Sequence, residues 1–205
     1  MTHHVIFDLL NPRESAALLD YAIANEALFG DSTVSKESAV KGDIRRSRLL
    51  TDLGPHRALL EERVANLVPG LIAELRLSPF AATGFEIELV AHEDQAFYKR
   101  HIDVFTGAPP AEAAGDRLIS VVYYLHKSPK QFTGGELRLF PQVRPLEISE
   151  VGAVDLVPEH GMAVAFSSWL PHEVRPVSCP SRKFEHSRFA VNCWVLRKRV
   201  ETQPA

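Results

Sequence analysis

The feature that most constrains this chain is a change of hydrophobic period, from helical repeats in the first third to alternation by two from Phe85 onward. Phe85, Ile87 and Leu89 alternate with two glutamates, which predicts a half-buried β strand. Glycine, proline or polar clusters separate most of six further short strand candidates, which are 118–125, 136–140, 153–157, 162–166, 172–177 and 187–196. Many short strands without intervening helices indicate a β sandwich or barrel, jelly rolls included.

The first third of the chain predicts helices that support this β core. Asn11, Pro12 and Glu14 mark a helix start, with a capping asparagine, a proline in the first turn and a glutamate three residues after the cap. A second helix is expected to be interrupted or kinked at Pro69. The stripes expected to be buried are Ala16, Leu19, Ile23 and Ala27 in the first helix and Leu60, Val64, Leu67 and Leu71 in the second.

Composition favours an ordinary globular protein. The 205 residues are 45% hydrophobic and 24% charged, and this length and composition predict a single domain over 1–205. The change of hydrophobic period divides that domain into helical support in 1–80 and the β core in 85–197. A formal net charge of −3 gives no general attraction for nucleic acid or an anionic membrane, so neither is expected as a partner.

Cellular location and assembly follow from similarly general features. Cys179 and Cys193 make no disulfide framework, and the first twenty residues show no signal peptide, so a cytoplasmic protein is expected. No heptad or exposed apolar stripe stands out, and we therefore expect a monomer or a weak dimer.

Three residues suggest a metal centre. In a strand, residues i and i+2 project from the same face, so His101 and Asp103 can present an imidazole and a carboxylate to one point. His172, at the start of a later strand candidate, can supply a third ligand. Two histidines and one carboxylate on one side of a metal leave positions open, as in non-haem iron(II) oxygenases. Alone, the H-x-D pair is a weak signal.

The segments around these residues strengthen the signal, because five of them occur in a recognisable order. They are YKRHID at 98–103, YYLH at 123–126, GGELRLF at 134–140, PHEVRP at 171–176 and RFAVNCW at 188–194. In this order the segments resemble the 2-oxoglutarate/iron(II)-dependent dioxygenases, in particular the prolyl-hydroxylase branch with its hypoxia-sensing and collagen-type enzymes. The resemblance covers about residues 85–197 and implies a double-stranded β-helix (jelly-roll, cupin-like) core.

The resemblance also implies roles for individual residues. His101, Asp103 and His172 would be the catalytic iron ligands. Arg188, six residues before Trp194, would bind the distal carboxylate of 2-oxoglutarate, for which a buried arginine offers a planar, permanently charged fork. The remaining co-substrate site candidates are Tyr124, Tyr98, Asn192 and Trp194.

The alternation of side chains along the last strand candidate, 187–196, gives an independent argument for which of its residues face the interior. Arg188, Ala190, Asn192 and Trp194 share one face, which we expect to be the inner one, and Cys193 then packs outside the cavity. The 16-residue spacing from His172 to Arg188 is longer than in the family, because of an extra segment at 178–186. That segment makes Arg182 an alternative to Arg188.

Three further positions carry open interpretations. His92 stands where the hypoxia-sensing enzymes place a co-substrate tyrosine, so it or another group is expected to take that place. Arg117 matches a position near the substrate in those enzymes, although a surface arginine at a strand edge is an equal alternative. The basic cluster Arg45, Arg46 and Arg48 is interpreted as a solvated loop in preference to a substrate contact.

The implied activity is hydroxylation of an unactivated C–H bond, with Fe(II), 2-oxoglutarate and O2 as requirements and ascorbate as a further candidate, and with release of succinate and CO2. The branch favours a prolyl residue of a protein or peptide. A free amino acid or small natural product is the alternative, since this fold changes substrate through its loops. Segments 30–47 and 106–115 are the candidate substrate loops. More remote alternatives are a zinc hydrolase and a non-catalytic cupin-like binding module.

Overall fold

A computed structural model describes residues 2–32, 44–104, 114–144, 147–148 and 150–199 of the chain. Most of the two candidate substrate loops, 30–47 and 106–115, lies outside these described residues. Within them, no helix is long and apolar enough to cross a membrane.

Two α helices and a series of mostly short strands make up the described part. The helices are α1, Pro12–Ala24, and α2, His56–Glu74. The first strands are β1 His3–Ile6, β2 Gly30–Asp31, β3 Arg45–Arg46, β4 Arg48–Leu50, β5 Gly84–His92, β6 Phe97–His101, β7 Asp116–Leu125 and β8 Thr133–Gly134. The remaining strands are β9 Leu137–Leu139, β10 Gln142–Arg144, β11 Glu147–Ile148, β12 Val154–Leu156, β13 Ala163–Ser167, β14 His172–Val174, β15 Val177–Ser178 and β16 Arg188–Arg197.

The longer strands form two antiparallel sheets. The major sheet has seven strands in the order β1-β13-β7-β16-β5-β4-β2, and the minor sheet has five in the order β12-β9-β14-β6-β3. An apolar cluster joins the inner faces of the two sheets: Tyr124, Phe166 and Ala190 come from the major sheet, and Leu137 and Leu139 from the minor sheet. The predicted mainly β fold with N-terminal helices and a jelly-roll core is confirmed.

The helices pack on the outer face of the major sheet. Leu18 of α1 and Leu60 of α2 belong to one buried cluster with Leu89, Val191 and Cys193 of the sheet. Cys193 therefore packs outside the space between the sheets, as strand parity predicts. Burial raises the pKa of its thiol to about 12.

Helix α1 begins where the sequence predicts but buries a different face. The Asn11 side chain accepts hydrogen bonds from the backbone of Arg13 and Glu14, and Glu14 accepts one from the backbone of Asn11. Its fully buried residues are Ser15, Leu18, Leu19 and Ala22. Of the predicted stripe, Leu19 is buried, Ile23 is partly buried against the core, and Ala16 and Ala27 are exposed. The shift has a tertiary cause, because the buried Ser15 hydroxyl hydrogen-bonds to the Tyr123 hydroxyl of β7.

The rest of the N-terminal third differs from its prediction in two ways. Helix α2 continues through Pro69, and Leu60, Val64 and Leu71 are buried as predicted. Leu67 is partly buried against the same core, and Val68 is buried in addition. Short strands also add to both sheets: β1, β2 and β4 extend the major sheet, and β3 extends the minor sheet. These strands of two to four residues are too short to show a hydrophobic period.

Candidate active site

Two adjacent strands of the minor sheet bring His101, Asp103 and His172 together. His101 ends β6 and His172 begins β14, and the two residues are directly paired in register, with ring centroids 4.2 Å apart. The Nε2 atoms of His101 and His172 lie 3.5 and 3.6 Å from the two carboxylate oxygens of Asp103. One ligand atom from each residue lies within 4.8 Å of the others, so the three side chains can hold a metal ion from one side.

Backbone carbonyls fix both imidazole rings in the same tautomer. Nδ1 of His101 lies 2.8 Å from the carbonyl oxygen of Lys99, and Nδ1 of His172 lies 2.8 Å from that of Leu170. Because a carbonyl oxygen only accepts, each Nδ1 carries a proton, and a ring that binds a metal therefore does so through the Nε2 lone pair. Both lone pairs are thus available at the centre, as a metal ligand requires.

The Asp103 carboxylate is held by two buried serines. The Ser120 hydroxyl donates to Oδ2 of Asp103 at 2.6 Å and lies 2.9 Å from the Ser168 hydroxyl. The backbone N–H of Asp103 donates to the carbonyl oxygen of Ser168 at 2.9 Å. These contacts fix the orientation of a carboxylate that lies just beyond the end of β6.

The protonation states of the centre suit a cation. Burial lowers the pKa of His172 to about 4, so the ring is neutral near pH 7. Burial alone would raise the pKa of Asp103, but His172, His101 and the Ser120 hydroxyl together hold that pKa below its ordinary value. The centre therefore offers a metal the carboxylate of Asp103 and the neutral imidazole of His172.

A second polar group lies between the sheets, on β7 and β16 of the major sheet. Arg188 and Tyr124 are fully buried, and the guanidinium carbon lies 4.9 Å from the Tyr124 ring centre. Arg188 donates from Nε to the Gly135 carbonyl oxygen at 2.7 Å, and its Nη1 lies 3.2 Å from Nδ1 of His92. Nη2 of Arg188 and the Tyr124 hydroxyl have no hydrogen-bond partner within the described residues. Two buried, unpartnered donors fit an anionic ligand such as a carboxylate.

The environment of Arg188 favours an added negative charge. Burial lowers the pKa of Arg188, and burial raises that of Tyr124 to about 12, so the pair carries the arginine cation and a neutral phenol. Burial and the nearby Arg188 charge lower the pKa of His92 well below 6.5, and the neutral ring accepts from Arg188. Glu136 acts on the Arg188 charge, but no carboxylate among the described residues forms an ion pair with it, so a carboxylate ligand would stabilise the buried cation.

Of the other predicted co-substrate residues, Tyr98 lies at the candidate metal centre in β6, and Asn192 and Trp194 lie in β16. Tyr98 stacks on His101, with ring centroids 3.5 Å apart. Asn192 donates to Glu88 at 3.1 Å, and the Trp194 ring centre lies 3.8 Å from the guanidinium carbon of Arg117. Asn192 and Trp194 are therefore engaged by neighbouring side chains rather than grouped with Arg188.

Two arginines for which the sequence allowed a surface position form ion pairs beside the candidate metal centre. Arg45 lies in β3, has a side chain only 10% exposed, and pairs with Glu88 at 3.2 Å. Its guanidinium carbon also lies 4.9 Å from the Tyr98 ring centre, so the solvated-loop interpretation of the basic cluster is wrong. The reason is strand pairing, since β3 and β4 lie beside β6 and β5. Arg46 is exposed, and Arg48 pairs with Glu26 and Glu93.

Arg117 is also not a free surface residue. It pairs with Glu86, and its Nη1 donates to the backbone oxygen of Asp103 at 3.4 Å. Glu86 and Glu88, the polar positions of the first predicted strand, thus partner arginines beside the metal centre. The alternation of charged and apolar residues in β5 showed that the two glutamates share one face of the strand. It does not show that this face lies between two sheets, where the arginines are.

The extra segment at 178–186 leaves Arg182 at the surface. The Arg182 side chain is 81% exposed and pairs with Asp94 at 3.3 Å. The segment ends in a short 3₁₀ helix, Phe184–His186, whose buried Phe184 packs edge-on against Phe29 and Phe189. Of the two arginine candidates, Arg188 is the one between the sheets.

Comparison with known families agrees with this geometry. The family model described as the 2OG-Fe(II) oxygenase superfamily matches residues 87–196, a span that contains the three candidate ligands, Tyr124 and Arg188. This is more than half of the chain. The chain belongs to the 2OG-Fe(II) oxygenase superfamily, which uses iron(II), 2-oxoglutarate and O2.

Individual relatives point the same way. An uncharacterized PKHD-type hydroxylase from Synechocystis sp. is 32% identical over 201 residues, which are 96% of this chain and 64% of that protein. The chain therefore spans slightly less than two thirds of the length of that relative.

Solved structures share the fold at lower identity. A prolyl-4-hydroxylase from Pseudomonas putida has 23% identity and a TM-score of 0.68, covering 97% of this chain and 93% of its own. The alpha-ketoglutarate-dependent epimerase SnoN of nogalamycin biosynthesis has 15% identity and a TM-score of 0.62, and the match covers 100% of this chain and 87% of the epimerase chain.

Proposed function

We propose that this protein is an Fe(II)- and 2-oxoglutarate-dependent hydroxylase. His101, Asp103 and His172 would bind the iron through two imidazole nitrogens and one carboxylate. Arg188 and Tyr124 would bind the distal carboxylate of 2-oxoglutarate. With these ligands bound, the iron supplies oxidative chemistry that converts 2-oxoglutarate to succinate and CO2 and places oxygen into a C–H bond.

The observation that carries this proposal is that a set of metal-ligating side chains and a buried arginine–tyrosine pair come from the two facing sheets to the space between them. The three-residue centre has the donor atoms to hold a cation, and Nη2 of Arg188 and the Tyr124 hydroxyl make no hydrogen bond to any residue that the structure describes. A dicarboxylate co-substrate would complete both, with one end at the metal and the other at Arg188. A zinc hydrolase has no need for a buried arginine and phenol beyond its metal, and that alternative leaves the Arg188 site unexplained.

The residues around the centre would then have separate tasks. The backbone carbonyls of Lys99 and Leu170 orient the imidazoles, and Ser120 orients Asp103. Arg188 would set the position of the co-substrate, because its guanidinium is itself fixed by Gly135 and His92. The surrounding apolar cluster, with Phe166 and Leu139 fully buried, would keep bulk water from the reacting atoms.

For the substrate, we propose a prolyl residue of a protein or peptide. The supporting observations are the family, the hydroxylase relative and the fold shared with a prolyl-4-hydroxylase. The alternative is a free amino acid or small natural product, and its support is the fold shared with an epimerase of nogalamycin biosynthesis.

The direct test is an anaerobic titration of the purified protein with iron(II) and 2-oxoglutarate, which monitors the weak visible charge-transfer band of the iron chelate. The band should appear with wild type and be lost with His172→Ala. Absence of the band while iron is demonstrably bound would exclude 2-oxoglutarate and favour the zinc-hydrolase or binding-module alternatives. Unchanged turnover in His172→Ala would contradict the metal assignment.

A further inference from the structure

The loop between β13 and β14 is fixed by the same contacts that hold the metal-ligand residues. The Ser168 carbonyl oxygen accepts from the backbone of Asp103 at 2.9 Å, and the Leu170 carbonyl oxygen binds Nδ1 of His172 at 2.8 Å. The Ser168 N–H also donates to Leu118 of β7 at 3.1 Å. The residue between these two anchors therefore has a defined place beside the metal centre.

That residue is Trp169, and it is unusually exposed. It is 54% accessible to solvent, whereas its neighbours Ser168 and Leu170 are buried. Tryptophan is highly buried on average, so a half-exposed ring requires an explanation. Tryptophan is also among the residues that most often contribute the binding energy of an interface. Among the exposed large apolar residues, Trp169 is the one on the loop that contacts both Asp103 and His172.

Two ion pairs lie beside the candidate metal centre. Arg45 pairs with Glu88, and Arg117 pairs with Glu86, so the charges next to the metal centre neutralise one another. No excess charge of either sign is presented by these four side chains. Recognition next to them would depend on shape and apolar contact.

We propose that Trp169 is a docking residue for a polypeptide substrate and packs against a proline or other apolar side chain that flanks the target residue. This inference rests on the proposed function and names a residue outside the metal and co-substrate sites that would bind its substrate. A small molecule held wholly inside the cavity gains nothing from an aromatic ring on the outside, whereas a polypeptide continues outward past the loop. Aromatic surfaces are a common means of binding extended, proline-containing segments.

The test compares peptides with a free amino acid in matched variants. The probes are a set of tryptophan-free twelve-residue peptides, each with a central proline flanked by apolar residues, and free L-proline. Succinate formation and tryptophan fluorescence are followed for wild type, Trp169→Ala and Trp169→Phe. Phe7→Ala is the control, because Phe7 is 66% exposed and lies at the opposite end of β13, where Ile6 pairs with Ala163.

We expect Trp169→Ala to raise the peptide KM about tenfold with little change in kcat, since a rim aromatic contributes to binding and not to chemistry. Trp169→Phe should keep the peptide KM within about threefold of wild type, because a phenyl ring preserves most of the stacking surface. Peptide binding should alter the fluorescence of wild type more than that of Trp169→Phe. The iron–2-oxoglutarate band should be unchanged in all variants.

Two results would overturn the inference and leave the proposed function intact. One is a wild-type peptide KM in Trp169→Ala. The other is hydroxylation of free L-proline by wild type, with no turnover or binding of any peptide. Failure of the iron–2-oxoglutarate band in wild type is a separate result, which would reject the proposed function itself.

Discussion

Arg188 reaches its buried position beside Gly135, whose carbonyl oxygen accepts from Nε of the guanidinium at 2.7 Å. Gly135 has φ +72°, and a Cβ there would lie 2.6 Å from Cδ of Arg188 and 2.9 Å from Cγ2 of Val177. The glycine is therefore required twice, once for its backbone conformation and once for the space that Arg188 occupies.

The substitution Gly135→Ala should weaken 2-oxoglutarate binding and destabilise the protein. The left-handed backbone conformation alone costs a non-glycine residue about 1–3 kcal/mol. Gly161→Ala is the matched control, since Gly161 has φ +82° and its Cβ would meet nothing within 4 Å. Urea denaturation should show a loss of stability in both variants, and the chelate titration should show a loss of affinity only in Gly135→Ala. Equal co-substrate affinity in the two variants would contradict the role of Gly135.

Arg188→Met should lower the affinity for 2-oxoglutarate by about a hundredfold, because it removes a buried charge that would pair with the distal carboxylate. Methionine keeps much of the side-chain length and avoids a large cavity. Arg182→Met is the control, as Arg182 is exposed and pairs with Asp94 at the surface. Titration of the charge-transfer band measures both affinities. The reverse pattern, with Arg182→Met impaired and Arg188→Met normal, would show that the assignment across the 178–186 segment is wrong.

Ser120→Ala should weaken metal binding about tenfold, because the carboxylate of Asp103 loses the hydroxyl that orients Oδ2. Ser187→Ala is a suitable control: Ser187 is equally buried, and its hydroxyl has no partner within the described residues. Anaerobic iron(II) titration, or Mn(II) titration by paramagnetic resonance, gives the affinities. Identical metal affinities in the two serine variants would show that Ser120 does not position Asp103.

The β core and the arrangement of its inner face could be predicted because both depend on local patterns. Alternation by two fixes which residues of a strand share a face, and this places Arg188 inside and Cys193 outside as expected. Turn residues mark where the strands end, so the predicted and observed strands differ by only a few residues at their ends. Which inner residues lie near which ligand depends on strand pairing, for which one sequence carries no signal.

The failures have tertiary causes. The buried face of α1 includes Ser15, a polar residue that the hydrophobic period would place outside, because Tyr123 supplies its hydrogen bond. Arg45 lies over the Tyr98 ring because the two-residue strand β3 pairs with β6. Trp169 carries no periodic signal, since it lies in a loop whose place is set by contacts to Asp103 and His172. In each case the deciding partner is distant in sequence.

The stability of the metal-free protein should fall on acidification, partly because of His92. Burial and the charge of Arg188 keep the pKa of His92 well below 6.5 in the folded state, whereas the unfolded chain takes up a proton near 6.5. Below that pH the unfolded state binds more protons, so stability rises with pH and is lost as pH falls. The slope for one such group approaches about 1.4 kcal/mol per pH unit.

His92→Gln isolates this contribution, because glutamine has no titrating group and its side-chain oxygen can still accept from Nη1 of Arg188. Urea denaturation of the metal-free proteins from neutral pH to about pH 5 should give a shallower loss of stability for His92→Gln than for wild type. The other histidines with lowered pKa values, including His126 and His172, remain in both proteins and cancel in the comparison. Parallel slopes over this range would mean that His92 is protonated in the folded protein, and that it does not serve as the acceptor for Arg188.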